Sequence, residues 1–242
     1  MADRVEKDII DLLLIPSTAT LTSVMHQLGI TNVFMHRVGP LCSGMKMAGP
    51  AFTLRYIPAR QDLGTSVIDN LQDVQRIGTE EIGQGQVLVI DAREDTRAGT
   101  MGSILATRIY QRGAAGVVTD GAFRDSPVIA EIGIPAYAAA MNANTNKTIH
   151  HPSEIQVPIA CGGVAVVPND IVVGDGEGVV VVPASMSGKV AEMAVAMEEK
   201  EDFLIEKIRT GSSILGVYPP DEKIIEEYEE WKIKKVNQEL VK

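Results

Sequence analysis

Apolar positions near the start of the chain recur at helical spacing. One face of a first helix is formed by Val5, Ile9, Leu12 and Leu13. The following segment, "STATLTSVMHQLG", begins with residue types that cap helices and ends at Gly29. The pattern therefore predicts two helices before residue 30.

The central third of the chain alternates between strand and helix patterns. Strands are predicted for "MAGPAFTLRYIP" (47–58), "GQVLVIDA" (85–92), "AAGVVTD" (114–120) and "IPAYAAA" (134–140). Helical spacing separates them at residues 61–78, 102–113 and 126–133. This alternation is typical of βαβ units, and it predicts parallel pairing among these strands.

The next stretch contains strand patterns with no helix between them. These are "IQVPIA", "GVAVVPNDIVVGD" and "GVVVVPA", with turn signals at residues 168–170 and 175–176. Strands joined by short turns pair antiparallel, so the predicted sheet is mixed. The "GDGEG" segment (174–178) lies between two strands and lacks the ending of a phosphate-binding loop, which favours a hairpin turn.

Beyond Pro183 the chain becomes helical and acidic, over 187–211 and again over 221–242. We therefore divide it into an α/β domain (1–185) and a C-terminal helical extension (186–242) that supplies subunit contacts. An apolar stripe runs along the last helix through Ile224, Ile225, Tyr228 and Trp231. This stripe either packs on its own subunit or docks on a neighbouring one.

The composition argues against several classes of protein, namely those that bind nucleic acid, span a membrane or hold a metal through cysteines. The 242 residues carry a formal net charge of -10, which argues against general affinity for nucleic acid or anionic lipid. No apolar run approaches the ~20 residues of a membrane span, and the N-terminus lacks a signal-peptide core, so we expect a cytoplasmic protein. Cys42 and Cys161 show no metal-ligand spacing and are expected to be reduced, buried thiols.

The segment from Gly99 to Asp125 combines two devices that bind anions. Backbone N–H groups at a helix start are predicted for Gly102, Ser103, Ile104 and Leu105. In "DGAFRD", Arg124 follows a buried strand and adds a charged donor fork, while Asp125 offers a carboxylate to a hard cation such as Mg²⁺ or Mn²⁺. The alternative is that Arg124 and Asp125 only form surface or capping ion pairs.

Two further motifs give no support for a metal site or a cofactor site. Adjacent side chains of His150 and His151 point in opposite directions along an extended segment, so both are interpreted as polar loop residues. A methyltransferase would need a glycine-rich turn after "VLVID", but residues 91–98 contain no glycine.

The motifs resemble those of the RraA-like family, which includes 4-hydroxy-4-methyl-2-oxoglutarate and 4-carboxy-4-hydroxy-2-oxoadipate aldolases and the regulator of ribonuclease activity. "STATLTSVMHQLG", "MAGPAFTL", "GSILA", "GVVTDGAFRD", "IPAYA" and "GVVVVP" follow the family's order. The resemblance implies an α/β domain with a layered β/β/α, swivelling-domain-like fold. It also implies a homotrimer or homohexamer whose active sites lie between subunits.

The resemblance further implies a metal-dependent aldolase that cleaves a 4-hydroxy-2-oxo acid to pyruvate and also decarboxylates oxaloacetate. By similarity, the backbone of residues 102–105 and Arg124 would bind the small 2-oxo acid, Arg124 would act in catalysis, and Asp125 would ligate the divalent metal. A glutamate from a neighbouring subunit would come from "MEEKEDF", as Glu199 or Glu201. The alternative is a non-catalytic, protein-binding regulator like the ribonuclease-inhibitor branch.

The chain departs from the family pattern at two positions. Family aldolases tend to carry an acid just after the helix-opening glycine, where this chain has Ser103. They also often carry an acid three residues beyond the metal-binding Asp, where Val128 stands. A water held by the metal or by Arg124 would then remove the hydroxyl proton.

Overall fold

The computed structural model describes residues 7–60, 62 and 71–239, with side chains described up to residue 235. The described residues form seven α-helices: α1 (Lys7–Leu13), α2 (Thr18–Gln27), α3 (Val74–Glu81), α4 (Ser103–Gln111), α5 (Ser126–Ile132), α6 (Ser187–Arg209) and α7 (Glu222–Glu239). The strands are β1 (Gly39–Pro40), β2 (Met47–Pro58), β3 (Val87–Asp91), β4 (Gly99–Met101), β5 (Gly116–Phe123), β6 (Ala136–Met141), β7 (His150–Ile155), β8 (Ile159–Cys161), β9 (Val164–Val166), β10 (Ile171–Gly174) and β11 (Val179–Val182).

One large mixed sheet organises the fold. Its strand order is β1-β6-β5-β3-β2-β10-β11, with β4 added beside β5 and β7 beside β2. Strands β2, β3, β5 and β6 pair in parallel, as the alternating pattern predicted. Strands β10 and β11 form the predicted antiparallel hairpin around the "GDGEG" turn. The mixed α/β prediction is confirmed.

Side-chain alternation along the strands creates two packed faces. On β3, Leu88 and Ile90 pack with α4 and α5, whereas Val87 and Val89 face the opposite way. That second face meets the small β8–β9 hairpin and one side of β10 and β11. Because successive residues of a strand point to opposite faces, the fully apolar run "VLVI" fills both layers at once.

A third cluster covers the other side of β10 and β11. It joins both N-terminal helices to the first half of α6, including Leu13, Leu21, Val190 and Ala194. Helix α6 thus begins as part of the packed domain. The boundary between residues 185 and 186 stays a prediction.

Helix α7 packs on the second half of α6 through aromatic side chains. The Phe203 ring lies 5.5 Å from the Tyr228 ring and 5.7 Å from the Trp231 ring, measured between centroids. Ile224 is buried in the same cluster, whereas Ile225 is 43% exposed. The stripe therefore packs within its own chain through three of its four residues, and contacts with a neighbouring subunit stay a prediction.

Several expectations need correction or lie outside the described residues. Residues 61 and 63–70 of the predicted 61–78 helix are not described. Residues 62 and 71–73 are not helical, and the helix α3 begins at Val74, where Asp73 caps it by accepting from the Arg76 amide. Neither His150 nor His151 is a loop residue, because both lie in β7; His150 is only 2% exposed and stacks on Tyr56. Cys161 is buried as expected, but Cys42 is only partly buried.

No single helix in the described part of the chain is long and apolar enough to cross a membrane. Helices α1 and α2 together pass that test of length and composition, but the chain bends by 107° between them.

Candidate active site

Pairing of β4 with β5 brings the start of α4 next to the end of β5. Gly99 lies opposite Ala122 and Met101 opposite Phe123, and the Arg124 amide donates to the Met101 carbonyl at 2.9 Å. Helix α4 begins one residue after Gly102, so its first turn faces the residues that follow β5. The sequence did not predict β4, because three residues are too few to show a strand pattern.

Asp125 adopts a backbone conformation that turns its side chain toward α4. Its φ is 57°, in the left-handed region, and its carboxylate makes no capping bond to its own helix α5. Instead, the Ser103 amide and the Ser103 hydroxyl each lie 3.3 Å from Asp125 Oδ2, both as donors. Left-handed backbone in a non-glycine residue is uncommon and often accompanies functional sites. The carboxylate is therefore presented to the site.

Two glycines make room for this arrangement. A Cβ at Gly102 would lie 2.8 Å from Asp125 Oδ2. A Cβ at Gly99 would lie 2.6 Å from Arg124 Cβ and 2.8 Å from the Arg124 amide nitrogen. At Gly99 the contact includes the Arg124 backbone, so a larger residue there would have to move the chain, whereas a larger residue at Gly102 would displace the Asp125 carboxylate from its present position.

Arg124 is only weakly engaged within the chain. Its Nε lies 3.5 Å from Asp125 Oδ1, and the two side chains are 48% and 40% exposed. An exposed ion pair at this distance contributes little to stability. Both groups therefore keep donors and acceptors for a ligand.

Around Arg124 and Asp125 lies a cavity of about 370 Å³. It is lined by the start of α3, the turn from β4 into α4, the end of β5 and residues 145–147. Gly102, Ile104 and Leu105 belong to the lining, and Ser103 reaches the site through its contact with Asp125. The first-turn amides of α4 add the positive end of a helix dipole. The structure thus brings the predicted residues of both segments around one cavity.

Sequence reasoning missed the opposite wall of this cavity. Arg76 and Lys147 are part of the lining, and the Lys147 ammonium lies 3.8 Å from Asp73 Oδ2. Gln75 holds this wall in place: it donates to the Thr100 carbonyl at 2.8 Å and accepts from Asn146 at 2.9 Å. Lys147 follows the end of β6, and residues at strand ends of α/β sheets commonly bind ligands. Its position after a predicted strand could therefore have indicated Lys147 as a site residue.

The two glutamates predicted from a neighbouring subunit lie elsewhere in this chain. Glu199 accepts from Lys235 at 3.2 Å and from the Tyr228 hydroxyl at 3.5 Å. Glu201 lines a second cavity, of about 650 Å³, between α2 and α6; partial burial and then the neighbouring Glu198 raise its pKa. Neither lines the cavity around Arg124 as far as the structure is described. A contribution from another subunit stays a prediction.

The family profile described as RraA-like, Aldolase/RraA, matches residues 8–181. The chain belongs to the RraA-like family. The matched range contains Arg124, Asp125 and the start of α4, so the candidate site lies within the region that defines RraA-like proteins.

Individual RraA-like relatives carry different names. A putative 4-hydroxy-4-methyl-2-oxoglutarate aldolase of Halalkalibacterium halodurans is 31% identical over 69% of this chain and 73% of its own. The Legionella pneumophila protein DlpA is 25% identical over 82% of this chain, which spans only 31% of DlpA. The crystal structure of Streptomyces coelicolor RraAS2, an unusual member of the RNase ES inhibitor RraA family, superposes with a TM-score of 0.75; it is 32% identical over 83% of this chain and 97% of RraAS2.

The two departures from the RraA-like pattern have clear positions in the structure. Ser103 places its hydroxyl on Asp125 Oδ2, where an acid would add a second negative charge. Val128 is 46% exposed on α5, and its amide donates to the Asp125 carbonyl at 3.0 Å. As far as the structure describes the chain, the site consequently has a single carboxylate, that of Asp125, on the side of Arg124.

Proposed function

We propose that the protein is a divalent-metal-dependent lyase that cleaves a 4-hydroxy-2-oxo acid and releases pyruvate. The observation that carries the proposal is the convergence of Arg124, Asp125 and the first turn of α4 on one cavity. The aldolase name of the relative that is 31% identical supports the same class of reaction. Decarboxylation of oxaloacetate would also yield an enolate of pyruvate, so the same residues would serve it.

The chain's own residues would bind the substrate at its 2-oxo acid end. Amides of residues 102–105 would donate to the carboxylate, since an anion is favoured at a helix N-terminus. The Arg124 guanidinium would donate to the oxo oxygen, where negative charge grows as the carbon–carbon bond breaks. A donor aimed at developing charge stabilises the transition state more than the bound substrate, so Arg124 would act mainly on kcat.

The residues present fit a hard divalent cation such as Mg²⁺ or Mn²⁺. In the described part of the chain no group of three or more His, Cys, Asp or Glu side chains is placed to hold a metal. Mg²⁺ commonly uses one or two carboxylates and fills its other positions with water and substrate, so Asp125 is a sufficient protein ligand. Gly102 leaves open the space beside Asp125 Oδ2 that a Cβ would fill. Such a cation would supply Lewis acidity toward the oxo group.

Among the described residues the carboxylate beside Arg124 is that of Asp125, which is assigned to the metal, so none is left there to remove the proton from the substrate hydroxyl. Ser103 and Val128 stand where family aldolases tend to carry acids, and the Ser103 hydroxyl is bonded to Asp125. We assign proton removal to an ordered water held at Arg124, which lies within the same cavity. Oxaloacetate decarboxylation needs no such proton removal, so it would be the less impaired of the two reactions.

The test is pyruvate release from 4-hydroxy-4-methyl-2-oxoglutarate and from oxaloacetate, measured with Mg²⁺, with Mn²⁺ and with EDTA. Metal-dependent release that disappears in Asp125→Asn supports the lyase. Release that is unaffected by EDTA, or that is equal in the variant, contradicts the metal assignment.

The second candidate is a non-catalytic, protein-binding regulator. It is favoured by the 32% identity to RraAS2, a member of an RNase inhibitor family, over 97% of that chain. Absence of turnover on both oxo acids, together with inhibition of an RNase E-type ribonuclease by the purified chain, would establish this function in place of the lyase. For either function we propose a cytoplasmic homotrimer or homohexamer, to be measured by light scattering.

A further inference from the structure

His150 is a buried titratable side chain that the lyase proposal does not use. It begins β7, is only 2% exposed, and stacks on Tyr56 with 5.5 Å between the ring centroids. Its Nδ1 lies 3.1 Å from Nη2 of Arg93. A guanidinium can only donate, so Nδ1 accepts and the ring is neutral, with its proton on Nε2. The contact with Arg93 therefore requires an uncharged His150.

Arg93 is directed at this ring by a strained turn after β3. Arg93 and Glu94 are consecutive residues in the left-handed region, with φ of 62° and 56°. Such backbone is costly for residues that carry a side chain. The Arg93 amide donates to Asp91 Oδ1 at 2.9 Å and the Glu94 amide to Asp120 Oδ2 at 3.2 Å, and these bonds stabilise the turn. The direction of the Arg93 side chain is therefore imposed by the surrounding fold.

One route from the Arg93–His150 contact to the candidate cavity follows the backbone. Arg93 Nη2 also donates to the Ile149 carbonyl at 3.4 Å, and the Ile149 amide donates to the Asn146 carbonyl at 2.9 Å. The second of these bonds closes a 3₁₀ turn just before β7. Residues 145–147, here called the 145–147 wall, line the cavity. Arg93 thus holds the base of this wall.

A second route passes through side chains. Tyr56, stacked on His150, donates from its hydroxyl to the Thr100 carbonyl at 2.9 Å. The same carbonyl accepts from Gln75 at 2.8 Å, and Gln75 accepts from Asn146 at 2.9 Å. Thr100, Gln75 and Asn146 all line the cavity. Burial raises the pKa of Tyr56, so its hydroxyl keeps the proton that it donates. His150 is therefore connected to β4 as well as to the 145–147 wall.

The charged groups around His150 disfavour a positive ring. Burial and then the Arg93 guanidinium lower the pKa of His150, and Arg97 adds a smaller decrease. Asp95 and the Ala98 carbonyl act in the opposite direction. Asp95 is already paired with Arg97, at 2.6 Å, so it is not free to accompany a charge on the ring.

A proton on Nδ1 of His150 would face the Arg93 guanidinium, donor against donor. Nε2 of the ring and Nε of Arg93 are both buried and make no hydrogen bond of good geometry in the part of the chain that the structure describes. Helix α3 also packs on β7, but at the other end of the strand, where Gly78 faces Ile155. The ring therefore cannot gain a proton and keep its contact with Arg93.

We propose that His150 is a pH-sensitive positioning residue of the cavity: the neutral ring, held by Arg93, keeps the 145–147 wall in place, and a protonated ring releases it. Because the folded pKa of His150 is lowered, the contact is intact above the ordinary His value of 6.5 and is lost as the pH falls through the folded pKa. The inference concerns the wall itself and rests on the proposed function only where pyruvate serves as the probe.

NMR tests this coupling without any ligand. The chain has four histidines, so the ring nitrogens of each can be followed by ¹⁵N NMR from pH 8 to about 5.5. At pH 8 His150 should show the neutral form with its proton on Nε2. The backbone amides of Asn146 and Lys147 should shift with the same midpoint as this ring. A proton on Nδ1 at pH 8, or wall amides that do not follow the ring, would overturn the proposal.

Variants assign the pH response to His150. His150→Phe keeps an aromatic ring on Tyr56 and should abolish the response of both wall amides, whereas His151→Phe, at the next position of β7, should retain it. Asp120 holds the same turn and has a pKa raised to about 6, so Asp120→Asn is a second control in which the response should persist. Arg93→Met should move the midpoint of the His150 ring to higher pH and uncouple the amides. A response that survives in His150→Phe or disappears in Asp120→Asn, or an unchanged midpoint in Arg93→Met, would contradict the assignment.

Pyruvate binding in Mg²⁺, measured by calorimetry, shows the consequence for the site. From pH 8 to about 5.5 the affinity should fall at least about fivefold in the wild-type protein and in His151→Phe, and change by less than about twofold in His150→Phe. By linkage, saturating pyruvate should lower the midpoint of the His150 ring. Wall amides that follow the ring, with no pyruvate bound at any pH, would retain the positioning role and reject the proposed ligand. Pyruvate binding with the same pH dependence in the wild-type protein and in His150→Phe would do the reverse.

Discussion

The two aspartates of "DGAFRD" occupy opposite environments although they are only five residues apart. Asp120 is 3% exposed, and its carboxylate accepts from the amides of Ala92 at 2.6 Å, Glu94 at 3.2 Å and Gly162 at 3.4 Å. Asp125 is 40% exposed at the side chain and is held by contacts with Ser103 and Arg124. Asp120 thus binds loop amides to the sheet, whereas Arg124 and Asp125 present their charged groups to the cavity.

The electrostatic consequences differ as well. Burial raises the pKa of Asp120 to about 6, with the nearby Asp91 carboxylate adding to the rise and the Ala92 amide opposing it. A carboxylate bonded mainly to backbone amides stabilises local geometry, whereas an exposed one can exchange partners with a ligand. Substitution at the two positions should therefore separate stability from activity.

The largest expected effect is on activity at Asp125. Asp125→Asn should lower metal-dependent kcat/KM by more than about a thousandfold, because an amide keeps the shape but lacks the anion that a hard cation prefers. The measurement is pyruvate release against Mg²⁺ concentration, with thermal unfolding as the control. An unchanged Mg²⁺ titration would contradict the assignment of Asp125.

Arg124→Lys is expected to cause the second largest loss of activity. Lysine keeps the charge but loses the planar fork, which should remove about 2 to 4 kcal/mol of transition-state stabilisation, or roughly thirty- to a thousandfold in rate. Steady-state kinetics should show the loss in kcat as well as in KM. A variant with parental kcat/KM would mean that Arg124 serves structure or a protein partner.

Asp120→Asn should instead reduce stability. One amide oxygen can still accept from Ala92, but the NH₂ group would face the amides of Glu94 or Gly162, donor against donor. The free energy of unfolding should fall by about 1 to 3 kcal/mol, the usual result of leaving buried donors unsatisfied. Urea denaturation measures it, with Asp125→Asn as the matched control at parental stability. A stable but inactive Asp120 variant would remove the distinction between the two aspartates.

The smallest effect is a pH dependence of stability that belongs to Asp120. Its folded pKa of about 6 lies above the ordinary Asp value of 3.8, so the folded state binds the proton more tightly. The contribution of Asp120 to the free energy of unfolding is fully present below the pKa that this group has in the unfolded chain. It is lost as the pH rises through about 6. Between pH 4 and 7 the wild-type protein should lose about 2 kcal/mol relative to Asp120→Asn. Parallel pH profiles in the two proteins would contradict this.

The sequence predicted the parts of the molecule that have strong local patterns. The apolar strands β3 and β5, the helix start at Gly102 and the charged residues at 124 and 125 were all visible, because each is continuous along the chain. The short strand β4 was not predicted, and neither were the buried position of His150 nor the wall formed by Arg76 and Lys147. Those features depend on contacts between residues far apart in the chain, such as Gln75 with Thr100 and Asn146 or His150 with Tyr56, which no local pattern encodes.

The left-handed backbone of Asp125 has a consequence for how such a protein can change during evolution. Residue types other than Gly, Asn and Asp lose about 1 to 2 kcal/mol in that conformation. A single mutation of Asp125 to Asn or Gly would keep the turn or even relax it, while it would remove the proposed metal ligand. Loss of catalysis at this position would thus carry no stability penalty, and an inactive scaffold would be free to acquire a binding function.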